Sequence, residues 1–309
     1  MITYYYKNGH SSTVSVSDTF QSGSWVYVES PTKDELRQLV TKFKLDENHV
    51  RDVCDDDEIP RLERDDDITY LFARHAHTSN GKEVETRPIL FVIGPKYFMT
   101  ITNVPYMRLE RFTSGAISFS TTHPIDLLTR MMDQIIDQYE EYISASSTQI
   151  KRIRNRLQTH DVNNQDFIDF VLIEDQLNSF LSAMLPTNAI LKRLLLGRHI
   201  PLSQDDQDEI EDVVLNNDQL VESCRSNIKS LISIREAYST IAGNNLNRTM
   251  KVLTIATMLI ALPNMFFGMY GMNIALPFQQ EVWAYVFVIG LTLVATIAAV
   301  ALARSRKIF

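Results

Sequence analysis

Cysteine is scarce in this chain of 309 residues. The two present, Cys54 and Cys224, stand 170 positions apart and form neither a disulfide framework nor a zinc pair. Excess basic charge is missing too: 30 Lys and Arg against 38 Asp and Glu leave a net charge of −8. A nucleic-acid binder needs a basic face for phosphate, so nucleic acid is not an expected partner. The start, Met1 to Asn8, lacks the charged-then-apolar layout of a signal peptide. There is no Gly-rich phosphate loop, nucleophile elbow or HExxH, so neither an enzyme nor an organic cofactor is expected. Acids run as Asp55-Asp56-Asp57-Glu58 and Asp65-Asp66-Asp67 without EF-hand spacing, and read as solvated loop charge. His75 and His77 share a strand face with no Cys or carboxylate at zinc spacing, and read as an exposed pair.

What is there divides unevenly. The mean hydropathy of −0.11 is that of a soluble protein, yet two long uncharged runs lie in the last sixty residues. Val252 to Tyr270 is nineteen residues and Val282 to Ala303 is twenty-two. At 1.5 Å per residue they span about 28 and 33 Å, matching a hydrocarbon core of about 30 Å. Arg248 and Lys251 precede the first run; Arg304, Arg306 and Lys307 follow the second; Gly271 to Glu281 between them has no Lys or Arg. Basic flanks stay inside, which predicts two membrane helices with both termini cytoplasmic. The lipid bilayer is one expected partner.

Residues 1–120 alternate short apolar runs with polar turns. Trp25 to Val28, Ile68 to Phe72, Ile89 to Ile93 and Tyr97 to Ile101 read as strands. Asp34 to Phe43 and Glu47 to Val53 read as short helices, giving a small α/β domain. A helical hairpin region follows over 121–202, because Leu127, Leu128, Met131, Ile135, Ile136 and Tyr139 recur at three and four. Pro186, Gly197 and Pro201 then punctuate the chain. Ser203, with Asp205 and Asp206 behind it, marks a helix start. The pattern from there runs uncapped into the first membrane segment, so 203–271 is expected as one helix of about 100 Å. A helix that long implies oligomeric packing. Residues 272–281 form an external loop, 282–303 the second membrane helix and 304–309 a basic tail.

A seam spaced by three and four runs along the first membrane helix: Asn247, Met250, Thr254, Thr257, Ala261, Asn264, Gly268, Gly271. Apart from Met250, all are small or polar. Small residues allow close helix packing. Two amides at membrane depth point instead to a water-filled pore lined by one such face per subunit. Pro263 leaves the Leu259 carbonyl without its donor and is expected to bend the helix.

The run ends in Tyr270-Gly271-Met272-Asn273. Here the chain resembles the CorA-type divalent metal ion channels, in which Gly-Met-Asn closes the first of two C-terminal membrane helices. Asn247-Arg248-Thr249-Met250-Lys251-Val252-Leu253-Thr254 resembles the family's entry into that helix. His49 to Asp52, Ile59-Pro60-Arg61-Leu62-Glu63 and Tyr70 resemble its N-terminal pattern. The likeness covers nearly the whole length. It implies an α+β membrane protein: a homopentameric funnel with an N-terminal cytoplasmic α/β domain, long stalk helices, two transmembrane helices and an axial pore. Self-association and divalent metal ions are the partners so implied, in a plasma or inner membrane, with Mg²⁺ both transported and regulatory.

Chemically the motif suits that cargo. Mg²⁺ sheds its waters reluctantly, and a ring of uncharged Asn273 carbonyls would accept hydrogen bonds from the hydrated ion. Gly271 supplies turn freedom and Met272 packs against the loop. Many magnesium-transporting members follow the motif with Met-Pro-Glu; here Pro277 is present but the acid is displaced to Glu281, which could still capture cations. Six of eight residues from Asp205 to Asp212 are acidic. Asp212, with Asp208, falls where the family places a regulatory carboxylate between subunits, although Thr78-Ser79-Asn80 lacks the expected partner acid. Glu236 would form an inner cation-attracting ring. Two alternatives stay open: transport of Co²⁺, Ni²⁺ or Zn²⁺, against which Met272 counts for zinc, and a non-conducting membrane-anchored sensor or scaffold, against which Asn264 counts.

Overall fold

A computed structural model describes residues 1–9, 13–78, 84–158, 164–197, 200–272 and 280–305. The chain divides into two compact units, Met1–Ile232 and Ser233–Phe309.

The N-terminal unit is built on a seven-stranded mixed sheet. Its strands are β1 (Ile2–Tyr6), β2 (Ser15–Ser17), β3 (Ser24–Glu29), β4 (Arg61–Asp65), β5 (Ile68–His77), β6 (Glu85–Gly94) and β7 (Tyr97–Thr102), in the order β2-β1-β3-β7-β6-β5-β4. Only β3 and β7 pair in parallel, with Trp25 opposite Phe98 and Val28 opposite Ile101. Alternation along each strand sends side chains to two faces. Val26, Val28, Tyr70, Phe72, Leu90, Val92, Met99 and Ile101 form one core with Leu39, Phe43, Val50 and Val53. Those last four come from and beside α1 (Lys33–Phe43) and α2 (Glu47–Asp52). Thr32 closes a capping box with Glu35 at the start of α1, and Asp46 accepts from the amides of Asn48 and His49 at the start of α2.

The opposite face carries Trp25, which donates from Nε1 to Thr100 Oγ1 at 3.0 Å and meets Phe112 and Phe119 edge-on. Phe112 belongs to the short α3 (Leu109–Thr113). This face is covered by α4 (Pro124–Gln158), whose Met131, Ile135 and Tyr139 are buried. Tyr139 in turn packs on Phe180 of α5 (Asn164–Leu195). Pro186 does not end α5, contrary to the sequence expectation. It lies inside the helix, where its missing N–H takes the usual donor from the Ser182 carbonyl; the Thr187 hydroxyl donates to the neighbouring Ala183 carbonyl at 2.8 Å.

The expected long helix is present as α6 (Gln204–Tyr270), 67 residues without a break. Pro263 is accommodated inside it. The C-terminal unit holds its second half together with α7 (Ala284–Ser305).

Candidate functional site

The acidic start of α6 sorts into paired and free positions. Ser203 receives the Asp206 amide and gives its own amide and hydroxyl to the Asp206 carboxylate. That carboxylate is 8% exposed and lies 3.8 Å from His123. Glu209 pairs with Arg130, which also holds Asp126. Asp205, Asp208, Glu211 and Asp212 remain exposed, Asp208 accepting from Gln204 at 2.9 Å. Asp208 and Asp212 are one turn apart and so share a helix face. Glu236 is also exposed. Among the described residues, no three His, Cys, Asp or Glu side chains converge as a metal cage.

The other acid runs are solvated as the sequence suggests: Asp55, Asp56, Asp57, Asp65, Asp66 and Asp67 are exposed, and Glu58 is half-buried. Glu58, Asp52 and Glu63 all pair with Arg61, whose guanidinium lies 4.0 Å from the centre of the Phe72 ring. Asp56 pairs with Arg87, and Arg74 donates to the carbonyls of Asp56 and Glu58. The histidine pair differs from expectation. His75 is fully buried, edge-on to Tyr106, with Nε2 3.4 Å from Thr102 Oγ1. Burial, with His77 beside it, pushes the His75 imidazole down to about 3, so it is neutral. It faces α4 because β5 alternates, and the sequence around it lacked any sign that a helix would cover that end.

In the C-terminal unit both helices are long and apolar enough to cross a bilayer. Ile255, Leu262, Pro263, Phe266 and Tyr270 are half-buried along one stripe of α6. On α7 the stripe is Ala284, Val288 and Thr292, buried, then Thr296 and Val300, half-buried. All eight seam residues, Asn247, Met250, Thr254, Thr257, Ala261, Asn264, Gly268 and Gly271, are exposed. At about 100° per residue the seam projects roughly opposite the half-buried stripe of α6. The Thr254 and Thr257 hydroxyls bond back to the carbonyls of Met250 and Leu253, at 2.8 and 2.9 Å. That satisfies their donors within the helix and still leaves oxygen lone pairs on the exposed face.

At the far end, the Gly271 amide still bonds the Phe267 carbonyl, and Met272 closes a tighter turn on Met269. A Cβ at Gly271 would meet the Phe267 carbonyl at 3.4 Å. Asn273, Pro277, Ser79, Asn80, Arg306 and Lys307 lie outside the described residues. Gly271 and Glu281 are brought to one crevice, lined also by Phe267, Tyr270, Ala284 and Tyr285. Tyr270 and Tyr285 thus meet at one end of the helix pair, as aromatic side chains do at a membrane interface. Sequence reasoning passed over this cluster, although the aromatics bordering each apolar run were its signal.

The profile of CorA-like Mg²⁺ transporter proteins matches residues 20–304. The chain belongs to this family. Membership makes it a divalent-cation transporter of the membrane. It is 23% identical over 288 residues to the cobalt/magnesium transport protein CorA of Methanocaldococcus jannaschii, covering 87% of this chain and 86% of that one. It is 21% identical over 280 residues to a magnesium transport protein CorA of Helicobacter pylori, covering 88% and 85%. The complete structure of the M. jannaschii CorA magnesium transporter superposes with a TM-score of 0.85 at 19% identity, over 98% of this chain and 97% of that one. The CorA-like fold therefore extends through both units of the chain.

Proposed function

We propose that this chain is one subunit of a homopentameric channel that admits Mg²⁺ through an axial pore, with both termini cytoplasmic. The observation that carries this reading is the exposed seam from Asn247 to Gly271, opposite the stripe of α6 that is half-buried within its own chain. Five copies of a small, polar face enclose water; five copies of the Leu259 and Phe267 faces would not. Gly271, Met272 and Asn273 form the mouth, where uncharged amide carbonyls bond the hydrated ion without trapping it. Glu281, beside Gly271, draws cations toward it. Entry runs down the membrane potential, worth about 2.3 kcal/mol per charge per 100 mV. Co²⁺ is the second cargo considered, because the M. jannaschii relative is a cobalt/magnesium transporter.

Closure is assigned to intracellular Mg²⁺ bound between subunits at Asp212 and Asp208, with Glu236 feeding the inner pore. The ion shifts the gate only by its differential affinity for the closed state. Five sites worth about 1 kcal/mol each give a steep response.

Flux of Mg²⁺ into liposomes tests the mouth: Asn273→Ala is expected to abolish it in an assembled pentamer, and unchanged flux would remove Asn273 from selectivity. Asp212→Ala is expected to stay open at internal Mg²⁺ levels that silence the parent. Closure at the parent's level would reduce Asp212 to a helix-start charge.

A further inference from the structure

One carboxylate stands alone at the end of the helix pair remote from the basic flanks. From Ala237 to the C-terminus the sole acid is Glu281. Lys251 lies about 28 Å back from Tyr270 along α6, and Arg304 follows Ala284 by about 30 Å along α7. Among the described residues, no cation of either helix therefore neighbours Glu281. In the N-terminal unit, by contrast, Glu58 and Glu63 share Arg61.

The surroundings of Glu281 are apolar. It lines a crevice of about 470 Å³ with Phe267, Tyr270 and Tyr285, and with the aliphatic Val282 and Val288. Tyr270 is half-buried on α6 and Val288 is buried on α7, so the crevice opens between the two helices of one chain. Tyr285 stays 73% exposed and Phe267 48% exposed, which leaves ring surface for a ligand.

This setting selects among cations. Mg²⁺ takes oxygen ligands in octahedral array and keeps several of its waters. Glu281 is the one carboxylate among the lining residues, and rings and methyl groups cannot stand in for water. An alkylammonium suits both parts: its charge meets the carboxylate, and its carbon atoms meet the aromatic faces and the valines. Beyond the crevice, Val286, Val294 and Ile297 continue as exposed apolar surface along α7. A free amine leaves that surface bare, whereas the acyl chains of a lipid cover it.

We infer that this crevice binds the ammonium headgroup of a zwitterionic phospholipid, with Glu281 facing the charge and Phe267, Tyr270 and Tyr285 facing the alkyl part. Aromatic residues at the end of a membrane helix stand at headgroup level, which is where such a group is found. The inference goes beyond the channel reading and depends only on the two helices crossing a bilayer. The ammonium and a passing Mg²⁺ then compete for Glu281.

The test uses the full-length protein in detergent, given equal amounts of phosphatidylethanolamine and phosphatidylglycerol, with retained lipid counted by native mass spectrometry. The parent is expected to retain phosphatidylethanolamine preferentially; no preference would overturn the site. Glu281→Gln and Tyr285→Leu are each expected to lower the preference about two- to fivefold, whereas Tyr285→Phe keeps it. Tyr285→Leu changes no charge, so its effect cannot come from weaker repulsion of phosphatidylglycerol. An assembled Glu281→Gln or Tyr285→Leu variant with the parent's preference would overturn the site. Displacement of the lipid by millimolar free ethanolamine would overturn the lipid as the source of the ammonium. Lipid count contains no ion flux, so a protein that retained phosphatidylethanolamine but conducted no Mg²⁺ would sink the channel reading and leave this site standing.

Discussion

The two units of the molecule satisfy their residues in opposite ways. The N-terminal unit closes on itself: Trp25, Phe72, Phe91 and Phe98 are fully buried, and Arg61 and Arg87 find carboxylates within the same unit. The C-terminal unit leaves Val286 70% exposed and Ile260 64% exposed, and carries six basic residues against two acids. Apolar surface of that extent has no place in water. What the second unit lacks, a bilayer can supply along both apolar helices. The difference teaches where to look for function: the seam on α6 is the part of that surface unsuited to lipid.

The largest effect that would sharpen this contrast belongs to the self-sufficient unit. Trp25→Ala removes a fully buried indole and its bond to Thr100. It is expected to cost about 3–5 kcal/mol, read as an early denaturant transition of the N-terminal unit. A variant melting with the parent would mean that the sheet is not held by this core.

A smaller effect concerns acid. His75 is neutral in the fold because burial pushes its imidazole to about 3, below its value of about 6.5 in an unfolded chain. A depressed value means stability that is present above about pH 6.5 and is lost as pH falls toward about 3. His75→Gln is expected to flatten the fall in melting temperature over that window. Parallel curves for variant and parent would show that His75 takes no part in acid lability.

How much of this was legible beforehand depends on what each residue's neighbours revealed. Strands β3, β5, β6 and β7 are apolar, β-branched runs between turns, so their signal is local. β1 was missed although Asn8-Gly9 follows it, because three consecutive tyrosines give no apolar–polar alternation, and β4 because Arg-Leu-Glu-Arg-Asp reads as loop. An edge strand tolerates such charge, and only Leu62 of β4 points into the core. The burial of His75 was invisible because it depends on α4, more than fifty residues away in the chain. Pro186 misled because α5 is held by its buried face, with Phe180, Met184 and Leu191 on either side of the proline, which the local sequence does not announce. In the C-terminal unit the seam and both apolar runs were plain, since periodicity alone defines them. The aromatic crevice at Gly271 was not, because it needs Glu281 and Tyr285 folded back beside it.

The central claim is that the seam lines water, and cysteine labelling coupled to flux tests it most directly. In a background without Cys54 and Cys224, cysteines at Thr257 or Asn264 are compared with cysteines at Leu259 or Phe266, using a water-soluble thiol reagent and Mg²⁺ flux in liposomes. The account predicts that the first pair is labelled and blocks flux while the second is neither labelled nor inhibitory. Equal labelling of both pairs, or labelling at the seam with undiminished flux, would contradict it.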